Sequence, residues 1–465
     1  MTTNLHAPLA RYAARLHATA GDRHHVASPL GAWLLLALCA SAAPEGDAAG
    51  PDGNAGLDGH AGLDGHAGLD GHAGFDGHAG LDGDAAALAD ALGTAPARAA
   101  RIAADLLDAP HPLVPSATAV WHRPGAGSAG LDAWRAALPR ATGTGPLPDQ
   151  AGLDAWAREH SLGLIERFPL ALDPRVALAL ASAVATRISW AAPFDLAPAG
   201  ALGPDSPWAG RLTRVLRTPA HGHRAWIAAT PEAGDVAVHV ATAQPAVNGG
   251  HEAGGADTGT DGSGGAAGAG LSVVSVAAAP GVAPADVLAA AYRIAADVDA
   301  DEPAGRRSLF DLPLGETPLW TLREEAVRTF APDRREQRHT AALPCWSARD
   351  EHELTGLGFT AAGRVLAPLV GAGDVRARQA VAARYDRYGF AAAAVTGMFA
   401  RVSLPPLGVA RVAELRFGHP YAVVAVATDR RGGGTGPWHG VPVFSGWVAE
   451  PDDVAAADLA DPPVA

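Results

Sequence analysis

The histidines of a repeated tract near the N-terminus are the first residues whose spacing could do chemistry. From Gly50 to Gly83 a glycine stands at every third position, and the hexapeptide GLDGHA recurs. Imidazole is a common ligand of divalent transition metals. A tract so rich in glycine supplies no second shell to orient a ligand, so we predict a solvated low-complexity insert over residues 44–83 without a specific metal site. The weak metal-binding candidates are His60, His66, His72 and His78, each two residues after an aspartate.

Two short motifs are similar to enzyme signatures. Gly125, Gly127 and Gly130 spell G-x-G-x-x-G between a predicted strand and a predicted helix, as in a dinucleotide-binding fold. The tripeptide HRP stands between the strand and the first glycine, which favours a plain glycine-rich turn. The sequence DGSGG at 261–265 is similar to a hydrolase motif, but it lies in a second glycine-rich insert, 247–270, which could not hold a catalytic triad. We predict that the protein is not an enzyme and has no cofactor.

The composition limits the possible partners. The chain has 35 arginines, no lysine and 49 acidic residues, for a formal charge of -14, and no basic stripe that could neutralise phosphates. We therefore predict no nucleic-acid partner. The N-terminus lacks a basic start followed by an apolar stretch and a small-residue cleavage site, which indicates a cytoplasmic protein without membrane contact and leaves non-canonical export open. We also predict a monomer. Cys39 and Cys345 are expected to be buried free thiols.

The segment over residues 387–406, RYGFAAAAVTGMFARVSLPP, has an unusual pattern of small residues. Four alanines and a valine offer little side chain for core packing, so we predict an exposed loop. Small residues are also those that can enter between two existing strands, because a sheet interior rejects bulk and charge at every second position. The alternate set here is Phe390, Ala392, Ala394 and Thr396.

Gly389 followed by the alanine tract resembles the hinge of the reactive-centre loop of serpins, inhibitors that trap a protease by inserting their own cleaved loop into a sheet. Downstream, the segments FGHPY at 417–421 and FSGWVAEP at 444–451 are similar to the closing strands of that family. Upstream, Ser28-Pro29, Trp190 with Phe194, and Leu343-Pro344 before the segment LGF at 357–359 stand in the family's order. On this resemblance the chain is identified as a bacterial member with low-complexity inserts.

The resemblance implies an α+β fold in which helices pack around three β-sheets and a reactive-centre loop is exposed. It places a single serpin-like domain over residues 1–455, the reactive-centre loop over 387–406 and a C-terminal tail over 452–465. It implies inhibition of a serine protease by loop cleavage, acyl-enzyme formation and loop insertion. A non-inhibitory binding or scaffold role on the same fold is the alternative.

The resemblance also implies site residues. The reactive-bond candidates are Arg401, Val402, Ser403 and Leu404. A basic residue before the bond suits trypsin-like proteases and a small aliphatic one suits elastase-like proteases, and both remain open. The hinge comprises Arg387, Gly389, Phe390, Ala391, Ala392, Ala393 and Ala394. The sheet-opening region comprises Ser28, Ser182 and Gln379. Phe390 replaces a small hydroxyl residue of the family, and Arg387 replaces a glutamate.

Local signals predict the elements that must position these residues. Ser28 as N-cap and Pro29 at the first helical position predict an apolar helix through Ala40. A strand is predicted over 116–122, and an apolar strand covered on both faces over 176–185, ending at Ser189-Trp190. Paired strands are predicted over 236–243 and 271–277, and helices over 84–93, 131–138 and 284–296.

Overall fold

The computed structural model describes residues 5–43, 77–125, 128–186, 188–245, 268–371, 375–389, 406–431 and 434–460. Most of each glycine-rich insert therefore lies outside the described residues. The second insert connects two neighbouring strands that pair over 237–243 and 271–277, as predicted. No helix in these ranges is both long and apolar enough to cross a membrane.

Eight α-helices occur in the described residues: α1 (His6–Ala20), α2 (Pro29–Ala40), α3 (Gly77–Leu92), α4 (Pro96–Leu107), α5 (Ala129–Ala136), α6 (Gln150–His160), α7 (Pro284–Ala296) and α8 (Thr360–Val370). The bounds of α2 and α7 confirm the predictions. Ser28 caps α2, since its hydroxyl accepts a hydrogen bond from Gly31 N at 3.3 Å. All of α2 except Leu35 is buried, which makes α2 a central core helix.

The described residues contain eighteen strands: β1 (His25–Ala27), β2 (Ser116–His122), β3 (Thr142–Pro146), β4 (Leu178–Val184), β5 (Ile188–Trp190), β6 (Asp195–Pro198), β7 (Arg214–Arg217), β8 (His223–Thr230), β9 (Gly234–Pro245), β10 (Ala269–Ala277), β11 (Gly315–Glu316), β12 (Trp320–Arg328), β13 (Arg335–Leu343), β14 (Trp346–Glu353), β15 (Arg378–Tyr385), β16 (Leu407–Arg416), β17 (Tyr421–Asp429) and β18 (Val441–Val448). Helices and sheets together confirm the predicted α+β class.

The strands form four hydrogen-bonded sheets within the described ranges. A seven-stranded sheet has the order β1-β18-β17-β10-β9-β5, with β8 also paired to β9. A six-stranded sheet has the order β11-β12-β16-β13-β7-β6. The remaining sheets, β3-β2-β4 and β14-β15, turn one edge each towards a common cavity and can be regarded as two halves of one interrupted sheet. On that reading the predicted three sheets are present.

The core lies on both faces of the seven-stranded sheet. Helix α2 and its neighbours pack on one face, where Trp33 and Leu34 are fully buried. Helix α7 packs on the other face, where Val274 and Val424 are fully buried. Alternate residues of each strand therefore reach opposite apolar layers, as expected for a sheet covered on both sides.

Two local predictions differ from the structure. Helix α3 begins at Gly77 rather than at Asp84, so it includes the end of the repeated tract. It is held from its C-terminal part, where Leu88 and Leu92 are fully buried. The apolar run predicted as one strand to Trp190 is divided into β4 and β5.

Helix α5 connects β2 to the parallel strand β3, but the other neighbour of β2 is antiparallel, so no doubly wound dinucleotide sheet forms.

Candidate functional site

The candidate site is the space between β4 and β15, which we call the slot. In the described part of the chain the only strand that pairs with β4 is β2, and the only strand that pairs with β15 is β14. Both strands line one cavity of about 1290 Å³. Among the described residues no strand lies between the facing edges of β4 and β15, and open strand edges are templates for a further strand.

Apolar residues of β4 are only half-buried because its edge is open. Leu180 and Val184 point inwards yet retain solvent exposure, and Ala181 on the opposite face is buried against helix α6. In β15, Val381 and Tyr385 are buried on the inner face. The slot therefore has a predominantly apolar inner wall, suited to small side chains at alternate positions of an entering strand.

The predicted sheet-opening residues meet beneath the slot, around Gly31 of helix α2. A Cβ atom placed on Gly31 would lie 3.4 to 3.5 Å from the polar side chains of Ser28, Ser182 and Gln379. These residues come from the α2 cap, from β4 and from β15, so the structure brings together three positions that are distant in the chain.

Hydrogen bonds tie both slot edges to the start of helix α2. The Gln379 amide accepts a bond from Ser28 N at 3.0 Å and donates one to Ser28 O at 2.8 Å. The Ser182 hydroxyl donates to Gly31 O at 2.7 Å. The family's asparagine and histidine are replaced here, yet the Ser182 and Gln379 side chains link the edges through α2 without direct pairing of β4 and β15.

Residues 386–389 bridge one end of the slot, where β4 and β15 both finish. We call this the upper end. Gly389 forms an antiparallel bridge with Ser189, and Tyr388 O accepts a bond from Trp190 N at 3.2 Å. The Asp386 carboxylate accepts a bond from Gly389 N at 2.8 Å, and burial raises the pKa of this carboxyl group. At Gly389 the chain that leaves β15 therefore lies beside β5, the strand that follows β4, next to the slot.

Gly389 occupies a position that only glycine fits without strain. Its φ angle is +72°, and an added Cβ would lie 2.5 Å from Ile188 O. The hinge glycine predicted from sequence is thus required by both backbone conformation and close approach.

The Arg387 guanidinium donates hydrogen bonds to backbone carbonyl groups. It donates to Phe194 O at 3.0 Å, to Asp458 O at 2.9 Å and to Ala460 O at 3.3 Å. Residues 458 and 460 belong to the C-terminal tail, which sequence analysis treated only as a tail. The tail supplies acceptors for the cation, and this explains how an arginine can stand where the family has a glutamate.

An aromatic cluster supports the hinge from below. The Trp190 indole N–H donates to Asp386 O at 2.8 Å, and the Trp190 and Tyr385 rings lie 4.9 Å apart. Phe194 packs edge-on against His223 at 4.4 Å. Trp190 and Phe194 were singled out in the sequence by the family's order, whereas Asp386 and Tyr385 were missed because no local pattern marks them.

Several predicted site residues lie outside the described residues. These are His60, His66, His72, hinge positions 390–394 and the reactive-bond candidates Arg401, Val402, Ser403 and Leu404; the side chain of His78 is not described either. In the part that is described, no group of three His, Cys, Asp or Glu residues could hold a metal ion. Cys39 and Cys345 are buried free thiols, as predicted, and burial raises the pKa of each to about 12.

Comparison with known proteins gives matches in structure only. No sequence-family model and no curated protein sequence matches the chain. The native stressed form of AtSerpin1 from Arabidopsis matches with a TM-score of 0.54 and 12% identity, over 97% of this chain and 100% of that one. Tengpin, a thermophilic serpin in its native state, matches with a TM-score of 0.54 and 12% identity, over 97% and 95% of the two chains.

The chain has the serpin fold. Human thyroxine-binding globulin matches as well, with a TM-score of 0.52 and 11% identity, over 96% of this chain and 98% of that one. At such identities the likeness concerns the fold. It confirms the fold that the hinge and the closing strands predicted, and inhibitory activity remains a proposal.

Proposed function

We propose that this serpin-fold protein inhibits a serine protease. The protease cleaves the loop within 401–404 and forms an acyl-enzyme, and the freed loop then enters the slot between β4 and β15 before the acyl-enzyme is hydrolysed. The observation that supports this proposal most directly is the slot itself: no described strand lies between its two edges, and Gly389 bridges to Ser189 at one end.

The geometry of the hinge favours entry from its end of the slot. The strands β4 and β15 both lead to this end, through Ser189 and Gly389 respectively. A segment that turns down from Gly389 would run antiparallel to β15 and pair with an edge on each side. Each new backbone hydrogen bond contributes about 0.5 to 1.5 kcal/mol net, so insertion of several residues would be strongly favourable.

The chemistry is that of an incomplete proteolysis. The protease serine attacks the carbonyl carbon before the scissile bond, the C-terminal fragment leaves with a new amino group, and an ester joins the N-terminal part to the enzyme. Insertion of the loop carries that ester away from the position at which water would attack. An uninserted loop would be hydrolysed, and the protein would be a simple substrate.

The proposed partner is a trypsin-like protease if Arg401 precedes the bond, or an elastase-like protease if Val402 does. Phe390 would overpack the inner face of the widened sheet at a cost of about 1 to 3 kcal/mol, which slows insertion and raises the fraction of protease that escapes. We further propose a cytoplasmic monomer that has no catalytic activity of its own and binds neither cofactor nor nucleic acid.

The test is incubation with trypsin-like and elastase-like proteases followed by denaturing electrophoresis. We expect a covalent band near the summed masses that survives boiling in detergent, and mass spectrometry of the released fragment would identify the bond. The same proteases with a blocked catalytic serine are the control. Loop cleavage without any covalent band would refute inhibition.

A binding role without inhibition is the second candidate. It is favoured by the structural match to thyroxine-binding globulin in complex with thyroxine, because that match places a ligand-binding protein on the same fold. A loop that is cut without trapping the protease and without stabilising the protein would favour this role.

A further inference from the structure

The two most exposed large apolar side chains in the described ranges lie where the predicted reactive-centre loop rejoins the fold. Leu407 is 66% exposed and Phe330 is 61% exposed. Phe330 belongs to the turn over residues 329–334 between β12 and β13, and Thr329 N in this turn donates to Pro406 O at 3.0 Å. Large apolar side chains that are exposed together commonly mark a contact surface.

A cavity of about 490 Å³ adjoins this turn and is lined by several arginines. Its walls include Phe310, Arg334, Arg335, Leu407 and Arg411. The guanidinium carbons of Arg335 and Arg411 each lie 5.0 Å from the centre of the Phe310 ring. One aromatic ring therefore orients two cations beside the cavity.

The arginines of this cavity differ in their partners. Arg411 contacts Glu324 at 3.2 Å. The guanidinium groups of Arg334 and Arg335, by contrast, form neither an ion pair nor a hydrogen bond with any of the residues that the structure describes. A guanidinium that is held against a ring and has no anionic partner can bind a carboxylate through two parallel hydrogen bonds at little cost in side-chain entropy.

The charge at this cavity contrasts with that of the whole protein. The chain has a formal charge of -14, whereas the cavity wall carries Arg334, Arg335 and Arg411 against the two carboxylates Glu324 and Asp333. A local positive field attracts an acidic part of a partner and raises the rate of association, and this effect weakens as salt is added.

Chain length identifies the partner that reaches this surface. Leu404, the last reactive-bond candidate, precedes Leu407 by three residues, which span about 10 Å when extended. An enzyme that holds residues 401–404 in its active site therefore lies next to the turn. A stable protein contact covers about 800 Å² on each partner, more than a few loop residues supply, so it continues onto the neighbouring surface.

We propose that Phe330, Leu407, Arg334 and Arg335 form a second contact surface for the protease that cuts the loop, which we call the side patch. The two apolar side chains pack against the enzyme beside its cleft, and the arginines bind a carboxylate there. This inference rests on the proposed function. The side patch raises the rate at which the loop is engaged and takes no part in insertion, because its residues belong neither to the slot nor to the hinge.

The alternation of side chains along β13 provides a matched pair of charge variants. Arg335 and Arg338 are both exposed, and they lie on opposite faces of β13 because their positions differ by three. Arg335→Glu and Arg338→Glu change the net charge equally, but only the first alters the side patch. Phe330→Ser and Leu314→Ser form a second pair, since Leu314 is 49% exposed and lies at the opposite end of β12 from Phe330.

The experiment measures the second-order rate constant for cleavage of the loop by the trypsin-like or elastase-like protease that cuts the wild type fastest. At low salt we expect Arg335→Glu to lower this constant on the order of tenfold and Arg338→Glu by less than about twofold, with a smaller difference at high salt. Phe330→Ser should lower it about threefold at either salt, and Leu314→Ser should leave it unchanged. The ratio of trapped to escaped protease should stay that of the wild type in all four variants. If Arg335→Glu does not fold, Arg335→Gln removes only the charge and should give a smaller loss in the same direction.

Equal constants for Arg335→Glu and Arg338→Glu would overturn the side patch, and a loss in Arg335→Glu that salt does not alter would overturn the binding of a carboxylate. Failure of the proposed function has a different signature, namely a loop that is cut without formation of a covalent band. In that case the four constants still decide whether the side patch engages the enzyme. If no protease of either class cuts within 401–404, both proposals are rejected.

Discussion

At the scale of single residues, the site depends on side chains that replace missing backbone contacts. Gln379 satisfies both the N–H and the C=O of Ser28, and Ser182 satisfies Gly31 O. Leaving such partly buried groups without partners costs about 1 to 3 kcal/mol each, so these two side chains stabilise the start of α2 and anchor β4 and β15 to it. At the upper end of the slot Arg387 also supplies hydrogen bonds to backbone groups, namely the carbonyl groups of Phe194 and of the tail.

Gly389→Ala tests whether the hinge needs a glycine. We expect a loss of about 1 to 2 kcal/mol in the free energy of unfolding from the positive φ angle, and a further loss from the collision with Ile188 O. Gly371→Ala is the matched control, because Gly371 has a similar φ of +66° with open space around its Cβ position. Urea unfolding of both variants measures the difference, and equal losses would show that the close approach at Gly389 is unimportant.

At the scale of elements, the proposed activity rests on the two slot edges. An exposed edge is ordinarily a liability because it recruits strands from other chains. Here side chains of β4 and β15 are anchored to α2, and α6 covers the outer face of β4. The arrangement favours the protein's own loop, which is tethered at Gly389, over a strand from another molecule.

Cleavage of the loop should stabilise this protein, whereas nicking normally destabilises one. A strand of several residues that pairs on both edges should raise the melting temperature by on the order of 10 °C. Differential scanning calorimetry of cut and uncut protein measures the change.

Phe390→Thr should raise the ratio of trapped to escaped protease by removing bulk from the inner face.

The matched control for insertion uses a charge on either face of the entering strand. Ala392→Arg places the charge on the inner face and should abolish the gain in melting temperature, whereas Ala393→Arg places it on the other face and should retain most of the gain. A cut wild-type protein that melts no higher than the intact one would show that the loop does not insert.

At the scale of the whole molecule, buried histidines link segments from the two ends of the chain. His17 of α1 lies 2.7 Å from both His25 Nε2 and the Ser445 hydroxyl, through Nδ1 and Nε2 respectively. His25 Nδ1 donates to Arg23 O, so a neutral His25 accepts at Nε2 from His17, and His17 in turn accepts from Ser445. The directed chain of bonds uses every ring nitrogen of both neutral imidazoles.

The stability of the protein should fall in mild acid because of this network. Burial, with smaller effects from His25 and His352, lowers the pKa of His17 to about 3. In the unfolded state His17 binds a proton below about pH 6.5, whereas in the folded state it stays neutral down to about pH 3. The free energy of unfolding therefore falls by roughly 1.4 kcal/mol per pH unit over this range. Between pH 7 and pH 5 His17 alone should account for about 2 kcal/mol.

Urea unfolding at several pH values checks this slope. His17→Gln keeps a hydrogen-bonding side chain but cannot titrate, so its stability should depend less steeply on pH even if it is lower at pH 7. His221→Gln, at an exposed position, is the control. Identical slopes for His17→Gln and the wild type would contradict the assignment.

Local sequence determined the elements whose signals are contained in a few neighbouring residues. The Ser28-Pro29 cap, helix α7 and strand β2 were all predicted, because capping and periodicity are properties of short segments. The resemblance also identified Ser28, Ser182 and Gln379 as a group, and the structure brings them together around Gly31.

Tertiary structure alone decided the features that depend on pairs of residues far apart in the chain. These features include the separation of β4 from β15, the strand that lies beside β16, and the carbonyl groups that accept hydrogen bonds from Arg387. Each depends on register between segments separated by dozens to hundreds of residues. Each segment carries its own apolar pattern, and that pattern is satisfied by several possible neighbours. The choice is made by burial and backbone pairing over the whole molecule, which no local pattern encodes.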